Sequence, residues 1–105
     1  MQRLINYTDD VIQRGQVIKC QLADNEALCL MVCEVVGEKY YQLIIINGYK
    51  AGLLFTYLPL AALDTKGFGL NANWLIENWH TWGYQACPIE QVYILSEPTA
   101  DLFGY

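Results

Sequence analysis

The stretch from residue 70 to residue 84, LNANWLIENWHTWGY, is the only part of the chain with a clear helical period. At about 100° per residue, Leu75, Trp79 and Trp82 fall on one side of a helix, with Ile76 beside them. All three tryptophans of the protein lie in this stretch. A buried tryptophan removes about 150–250 Å² of surface from water, so the pattern predicts a helix that covers a sheet with Trp79 and Trp82.

The residues at both ends of this stretch suit a helix that starts and stops there. Asn71 or Asn73 can cap the N-terminus with its side-chain oxygen. Gly83 can adopt the left-handed conformation that often ends a helix. The sequence therefore predicts one principal helix between these points.

The segments on both sides of the helix have the composition of β-strands. The predicted strands are residues 16–22, 27–36, 40–46, 53–58 and 89–95. Residues 27–36 are apolar on both faces until Glu34, and residues 40–46 are nearly all apolar. This pattern predicts central positions, with the helix on one face and a further sheet or a partner on the other. Residues 1–14 are predicted to be irregular and residues 60–64 to form one helical turn. We expect a single α+β domain over residues 1–105, with a mostly antiparallel curved sheet or small β-sandwich and the helix packed on it.

Composition restricts the partners and the compartment. The formal net charge is −5, from 11 acidic and 6 basic residues, which disfavours direct binding of nucleic acid and suits a basic protein partner. The N-terminal segment has no apolar run typical of a signal peptide, and no run is long enough to span a membrane. We therefore expect a cytoplasmic protein with four reduced cysteines and no cofactor.

A metal site or a Cys–His catalytic pair is the main alternative. Cys29 and Cys33 would share one face of a strand but lie about 13 Å apart, too far to bind one ion. His80 falls on the outer side of the helix, and Cys87 is the only thiol expected near it. The sequence supplies no third group to orient such a pair. We therefore favour the interpretation that the thiols are buried and the protein is not catalytic.

The candidate partner-binding residues are acids in turns and tails, together with exposed aromatic side chains. They are Asp9, Asp10, Asp24, Glu26, Trp74, Glu97, Asp101 and Tyr105. Ordinary solvated loops explain any one of these acids, and packing against the preceding loop explains Trp74. As a set they predict an acidic rim with aromatic anchors.

Three segments resemble the bacterial immunity protein 45 family: residues 47–59, NGYKAGLLFTYLP; the helix NWLIENWHTWGY; and residues 87–93, CPIEQVY. The early run Arg14-Gly15-Gln16-Val17 is also similar to that family's opening strand. Where the family has Tyr-Pro after the helix, this chain has Tyr84-Gln85.

The resemblance implies a cognate inhibitor of a polymorphic or contact-dependent growth inhibition toxin. The implied toxin domain is basic and RNase-like, and it is bound non-catalytically by a monomer in a 1:1 complex. Neither nucleic acid nor membrane is implied as a direct partner. The alternatives are a small cytosolic Cys/His enzyme or metal protein, and an adaptor domain that uses the same surface.

Elemental analysis of the purified protein distinguishes the binding protein from the metal protein. Because the thiols and His80 lack the spacing of a zinc site, we expect no stoichiometric zinc. One zinc ion per chain would contradict the binding-only reading.

Overall fold

The computed structural model describes residues 2–23, 25–66 and 69–95. One helix, α1, spans Ala72–Trp82. The strands are β1 Gln2–Arg3, β2 Val11–Ile12, β3 Val17–Ala23, β4 Glu26–Glu34, β5 Tyr41–Ile45, β6 Leu54–Tyr57, β7 Leu70–Asn71 and β8 Val92–Leu95. Short 3-10 turns cover Leu4–Asn6, Leu60–Ala62 and Ile89–Gln91.

Six strands form one antiparallel sheet in the order β1-β8-β3-β4-β5-β6, and β2 pairs with β7. The sheet is open and α1 packs on it, so the predicted α+β class is confirmed. The helical turn expected within residues 60–64 is present as well. β4 is central as predicted, whereas β5 lies second from an edge because β6 alone continues the sheet beyond it.

The covered face of the sheet carries the main core. Ile94, Ile18, Leu30 and Ile45 stand opposite one another on four neighbouring strands. Together with buried residues of β2, β7, α1 and the 3-10 turns, they form one apolar cluster. The described elements outside the six-stranded sheet thus place their buried side chains on this face.

The N-terminal segment is more ordered than its polar composition predicts. Leu4 and Ile12 are completely buried in the core cluster. Pairing of Ile12 with Leu70 holds the segment against the strand that leads into α1. The prediction of an irregular N-terminus was therefore wrong, because two apolar anchors are enough to order a polar stretch. The predicted strand 89–95 also begins as a 3-10 turn and extends only from Val92.

Trp79 joins α1 to the rest of the core. Its side chain is 4% exposed, and its indole N–H donates to the Cys87 carbonyl oxygen at 2.9 Å. A Cβ atom at Gly83 would overlap the Trp79 ring. Glycine is therefore required at position 83 because the Trp79 ring approaches its Cα closely. A left-handed conformation is not the reason, since φ of Gly83 is −85°. That expectation was wrong, whereas the Asn71 cap is present, its side-chain oxygen accepting from the Trp74 N–H at 2.9 Å.

The other two tryptophans flank the apolar side of the helix. Trp82 was expected in the core but is half-buried, because its ring lies against Trp74 with the ring centroids 6.2 Å apart. Among the described residues no helix is long and apolar enough to cross a membrane.

Replacing Trp79 by Ala should lower the free energy of unfolding by about 3–5 kcal/mol, because it removes a buried ring and a hydrogen bond. His80→Ala, an exposed site on the same helix, serves as the matched control and should change stability by less than about 0.5 kcal/mol. Urea denaturation measures both variants. An unchanged midpoint for Trp79→Ala would show that this helix face is not part of the core.

Candidate functional site

Asp9 and Asp10 lie exposed on the segment between the first 3-10 turn and β2. The Asp10 carbonyl oxygen accepts from the Ala72 N–H at 2.9 Å, which fixes the acidic pair beside the N-terminus of α1. The helix dipole favours negative charge at this end. Burial of Ile12 two residues later keeps the segment in place.

These two acids line a concavity with a volume of about 550 Å³, here called the Asp9–Asp10 concavity. Its residues are Tyr7, Asp9, Asp10, Val11, Gln13, Arg14 and Gln16. The Gln16 amide nitrogen donates to the Tyr7 hydroxyl at 3.0 Å, and its amide oxygen accepts from the Gln13 N–H at 2.6 Å. Gln16 therefore ties the two sides of the concavity together.

Negative charge is in excess in this concavity. Its one cation, Arg14, lies 3.4 Å from a Glu34 carboxylate oxygen. Both side chains are well exposed, so the pair contributes little to stability. It does partly neutralise Arg14, which leaves the two aspartates as the unmatched charges and suits the surface to lysine or arginine side chains.

The neighbouring surface beyond Glu34 is balanced in charge. A second concavity of about 390 Å³ there includes Glu34 and Glu38 with Lys39 and Lys66. The sequence-based set did not include Glu34, although the stretch Gly37-Glu38-Lys39, which has the composition of a turn, follows it closely in the sequence.

The structure separates the predicted acids into different places. Glu26 is the first residue of β4, where its carbonyl oxygen accepts from the Gln21 side chain at 3.0 Å. The Gln21 carbonyl oxygen is 3.7 Å from Cys87 Sγ, in the connector after α1. Glu26 and Asp10 thus lie toward opposite ends of an 11-residue helix, which is about 16 Å long.

Trp74 lies at the same end of α1 as Asp10, in the first helical turn, and is half-buried. Asp24, Glu97, Asp101 and Tyr105 lie outside the described residues. Contact of any of the predicted residues with a partner stays a prediction.

An exposed apolar edge is the feature that the sequence-based set missed. We call Leu53, Leu54, Tyr57 and Leu60 the β6 rim; their side chains are 57%, 41%, 56% and 59% exposed. The sequence does contain an indication of this apolar edge, because no residue from Ala51 to Leu63 is charged.

His80 and Cys87, the candidate catalytic pair, line one cavity of about 260 Å³ beside the end of α1. Cys87 is 2% exposed, and its Sγ lies 3.6–3.7 Å from three backbone carbonyl oxygens. Burial raises the pKa of this thiol. The lining contains no carboxylate, and the Gln85 amide in it donates to the backbone carbonyl oxygens of His80 and Gly83. No group of this lining is therefore seen to orient the His80 ring toward a reactive thiolate.

The other thiols are also held in the protonated form. Burial raises the pKa of Cys20, Cys29 and Cys33, most strongly at Cys20, where the nearby Cys87 thiol adds to the effect. Within the described part of the chain, no three His, Cys, Asp or Glu residues are grouped to hold a metal ion.

Iodoacetamide labelling tests this account of the thiols. At about pH 8 the native protein should react slowly, Cys33 first and Cys20 last, because burial and a raised pKa keep the thiols protonated. All four should react rapidly in denaturant. Mass spectrometry of timed samples gives the order, and Cys87 as the fastest site would favour the Cys/His alternative.

Comparison with protein families finds that the family described as Immunity protein 45 matches residues 4–94. This range contains α1, every described strand from β2 to β8 except the last residue of β8, and the Asp9–Asp10 concavity, whereas β1 lies before it. No curated protein matches the chain, and no solved structure does.

Proposed function

This chain belongs to the immunity protein 45 family, and from that premise we propose that it neutralises its cognate toxin by binding alone, with no chemistry of its own. The family assigns an immunity role and a cognate toxin as partner. The proposal adds the mode of action, the kind of toxin and the surface that meets it.

The Asp9–Asp10 concavity is the observation that carries the proposal. Two exposed carboxylates lie in a concave surface beside a helix N-terminus, and the only cation there is paired with Glu34. Lysine and arginine side chains of a basic protein fit such a surface. The net charge of −5 acts in the same direction by attracting a basic partner over a longer range.

A nuclease is the toxin class that this chemistry fits best. An active site that binds nucleic acid concentrates lysine and arginine around the phosphates. Carboxylates that occupy the place of those phosphates exclude the substrate without any reaction. We therefore propose an RNase-like toxin delivered in contact-dependent growth inhibition, neutralised in the cytoplasm by a monomer in a 1:1 complex.

Binding without catalysis is supported by the chemistry of the remaining groups. Cys87 is a buried thiol with a raised pKa, and its cavity has no carboxylate to orient His80. The acids of the concavity are exposed, as recognition of charge requires.

The kinetic test uses the toxin domain encoded by the gene immediately before the immunity gene. Asp9→Asn with Asp10→Asn should slow association several-fold at low salt and reduce its salt dependence, because the steering charge is lost. A matched control, Glu77→Gln with Glu90→Gln, removes the same net charge from exposed sites elsewhere. Stopped-flow association at low and high salt measures both.

If the two double variants slow association equally, the Asp9–Asp10 concavity acts only through its contribution to the net charge and is not a specific contact surface. A single Glu26→Gln variant shows whether the opposite end of α1 also contributes. If the wild-type protein does not bind the neighbouring toxin domain at all, the proposed function is wrong.

A further inference from the structure

The β6 rim lies at an edge of the six-stranded sheet. In the part of the chain that the structure describes, β6 pairs with β5 alone. Leu53, Leu54, Tyr57 and Leu60 are all exposed there. An exposed apolar edge is unusual, because edge strands present unpaired backbone groups that natural proteins normally protect.

The hydrogen bonds of β6 show which backbone groups point outward. Leu58 N–H donates to the Tyr41 carbonyl oxygen at 3.0 Å, and Ile45 N–H donates to the Leu53 carbonyl oxygen at 2.9 Å. Bonded and non-bonded residue pairs alternate along an antiparallel ladder. Tyr57 is next to the bonded Leu58, and Leu54 is next to the bonded Leu53. Both therefore occupy non-bonded positions and direct their N–H and C=O groups away from β5.

A bulge lies between these two outward positions. Leu43 is opposite Thr56 and Ile44 is opposite Leu54, so Phe55 is the extra residue. The Phe55 ring packs edge-on against Tyr84, with the centroids 6.2 Å apart. The bulge bends the edge and leaves outward backbone groups on both sides of it.

The absence of charge near β6 determines which kind of segment can pair with the β6 rim. The whole stretch from Ala51 to Leu63 is uncharged, whereas the opposite edge, β1, is two residues long and includes Arg3. On the sheet face opposite the main core, Leu54 continues a row formed by Ile44, Met31 and Val17 on successive strands, which runs from the exposed Leu54 to the completely buried Val17. A charged segment buried against this surface would lose hydration without gaining a partner.

We propose that the β6 rim binds an extended, uncharged segment of the cognate toxin, which adds a strand to the sheet. This inference rests on the proposed function for the identity of the partner. Backbone groups of Leu54 and Tyr57 pair with the added strand, and their side chains contact its apolar residues.

A toxin fits this edge better than a second copy of the chain does. Two copies would each carry a net charge of −5 and repel each other, whereas a basic toxin is attracted. A chain of contacts also links the rim to the Asp9–Asp10 concavity: Tyr57 is opposite Gln42, whose amide donates to the Glu34 carbonyl oxygen at 3.2 Å. Glu34 pairs with Arg14 of the Asp9–Asp10 concavity.

The two surfaces therefore form neighbouring parts of one interface with different kinetic roles. Exposed acids act on the association rate through long-range attraction. The β6 rim, which is desolvated only after docking, acts on the dissociation rate.

Two substitutions at one position separate the side chain from the backbone. Tyr57→Ala removes the ring alone, and Tyr57→Pro removes the ring together with an outward N–H that the β5 ladder does not use. With the neighbouring toxin domain as the probe, Tyr57→Ala should raise the dissociation rate about tenfold. Tyr57→Pro should raise it about threefold to tenfold further, because a backbone hydrogen bond is lost as well.

Tyr49→Ala is the matched control, since Tyr49 is 94% exposed in the β5–β6 loop and lies outside the rim. Its dissociation rate should equal that of the wild type. Surface plasmon resonance gives the rates, and circular dichroism with urea denaturation confirms that each variant is folded.

Amide hydrogen exchange of the wild-type protein tests the same contact without any substitution. The N–H groups of Leu54 and Tyr57 should exchange rapidly in the free protein and become strongly protected in the toxin complex. This measurement decides the question even if Tyr57→Pro does not fold.

These experiments distinguish failure of the rim proposal from failure of the proposed function. Wild-type binding with equal rates for Tyr57→Ala, Tyr57→Pro and Tyr49→Ala, or with unprotected Leu54 and Tyr57 amides, overturns the rim proposal and leaves the proposed function standing. Absence of wild-type binding overturns the proposed function itself. A dimer of the chain alone by light scattering, lost in Tyr57→Pro, would assign the edge to a second copy and overturn the toxin as its occupant.

Discussion

Burial of Trp79 is the interaction on which the described architecture depends. Its ring is buried in the main core cluster and lies against Gly83, and its N–H donates to the Cys87 carbonyl oxygen of the following connector. Gly83 is needed because any side chain there would overlap the ring. One residue thereby ties the end of α1 to the connector that leads toward β8. The N-terminus of α1 is held separately, where the Ala72 N–H donates to the Asp10 carbonyl oxygen.

This arrangement leaves two different kinds of exposed surface. The Asp9–Asp10 concavity is polar and carries unmatched negative charge, whereas the β6 rim is apolar and uncharged. The two aspartates and the four rim side chains lie outside the main core cluster. A protein that has to bind one partner both rapidly and tightly benefits from this division, since charge accelerates encounter and desolvated apolar contacts slow release.

Much of the fold follows from the local sequence. The helical period of residues 70–84 and the apolar strands predicted α1, β3, β4, β5 and β6, because side-chain spacing reports directly on burial. The order of β2 could not be predicted, since it depends on pairing with β7, which is distant in sequence. The burial of Leu4 could not be predicted either, because its turn packs against α1 and β8, which are also distant in sequence. Gly83 was assigned the wrong role because the approach of Trp79 is a tertiary contact.

The candidate site was predictable only in part. Exposed acids such as Asp9 and Glu26 are recognisable from turn composition, but their separation toward opposite ends of α1 is a property of the fold. The β6 rim was missed because Leu54 and Tyr57 look like ordinary strand residues. Only the sheet order shows that their strand is an edge.

The central claim is that this chain neutralises a toxin by occupying it and not by altering it. The most direct measurement is a titration of toxin activity against this protein, followed by separation of the complex in denaturant and refolding of the toxin. The account predicts that activity falls linearly to zero at one chain per toxin and that the recovered toxin has its original mass and full activity. Inactivation of many toxin molecules by one chain, or recovery of a toxin with a changed mass, would contradict it.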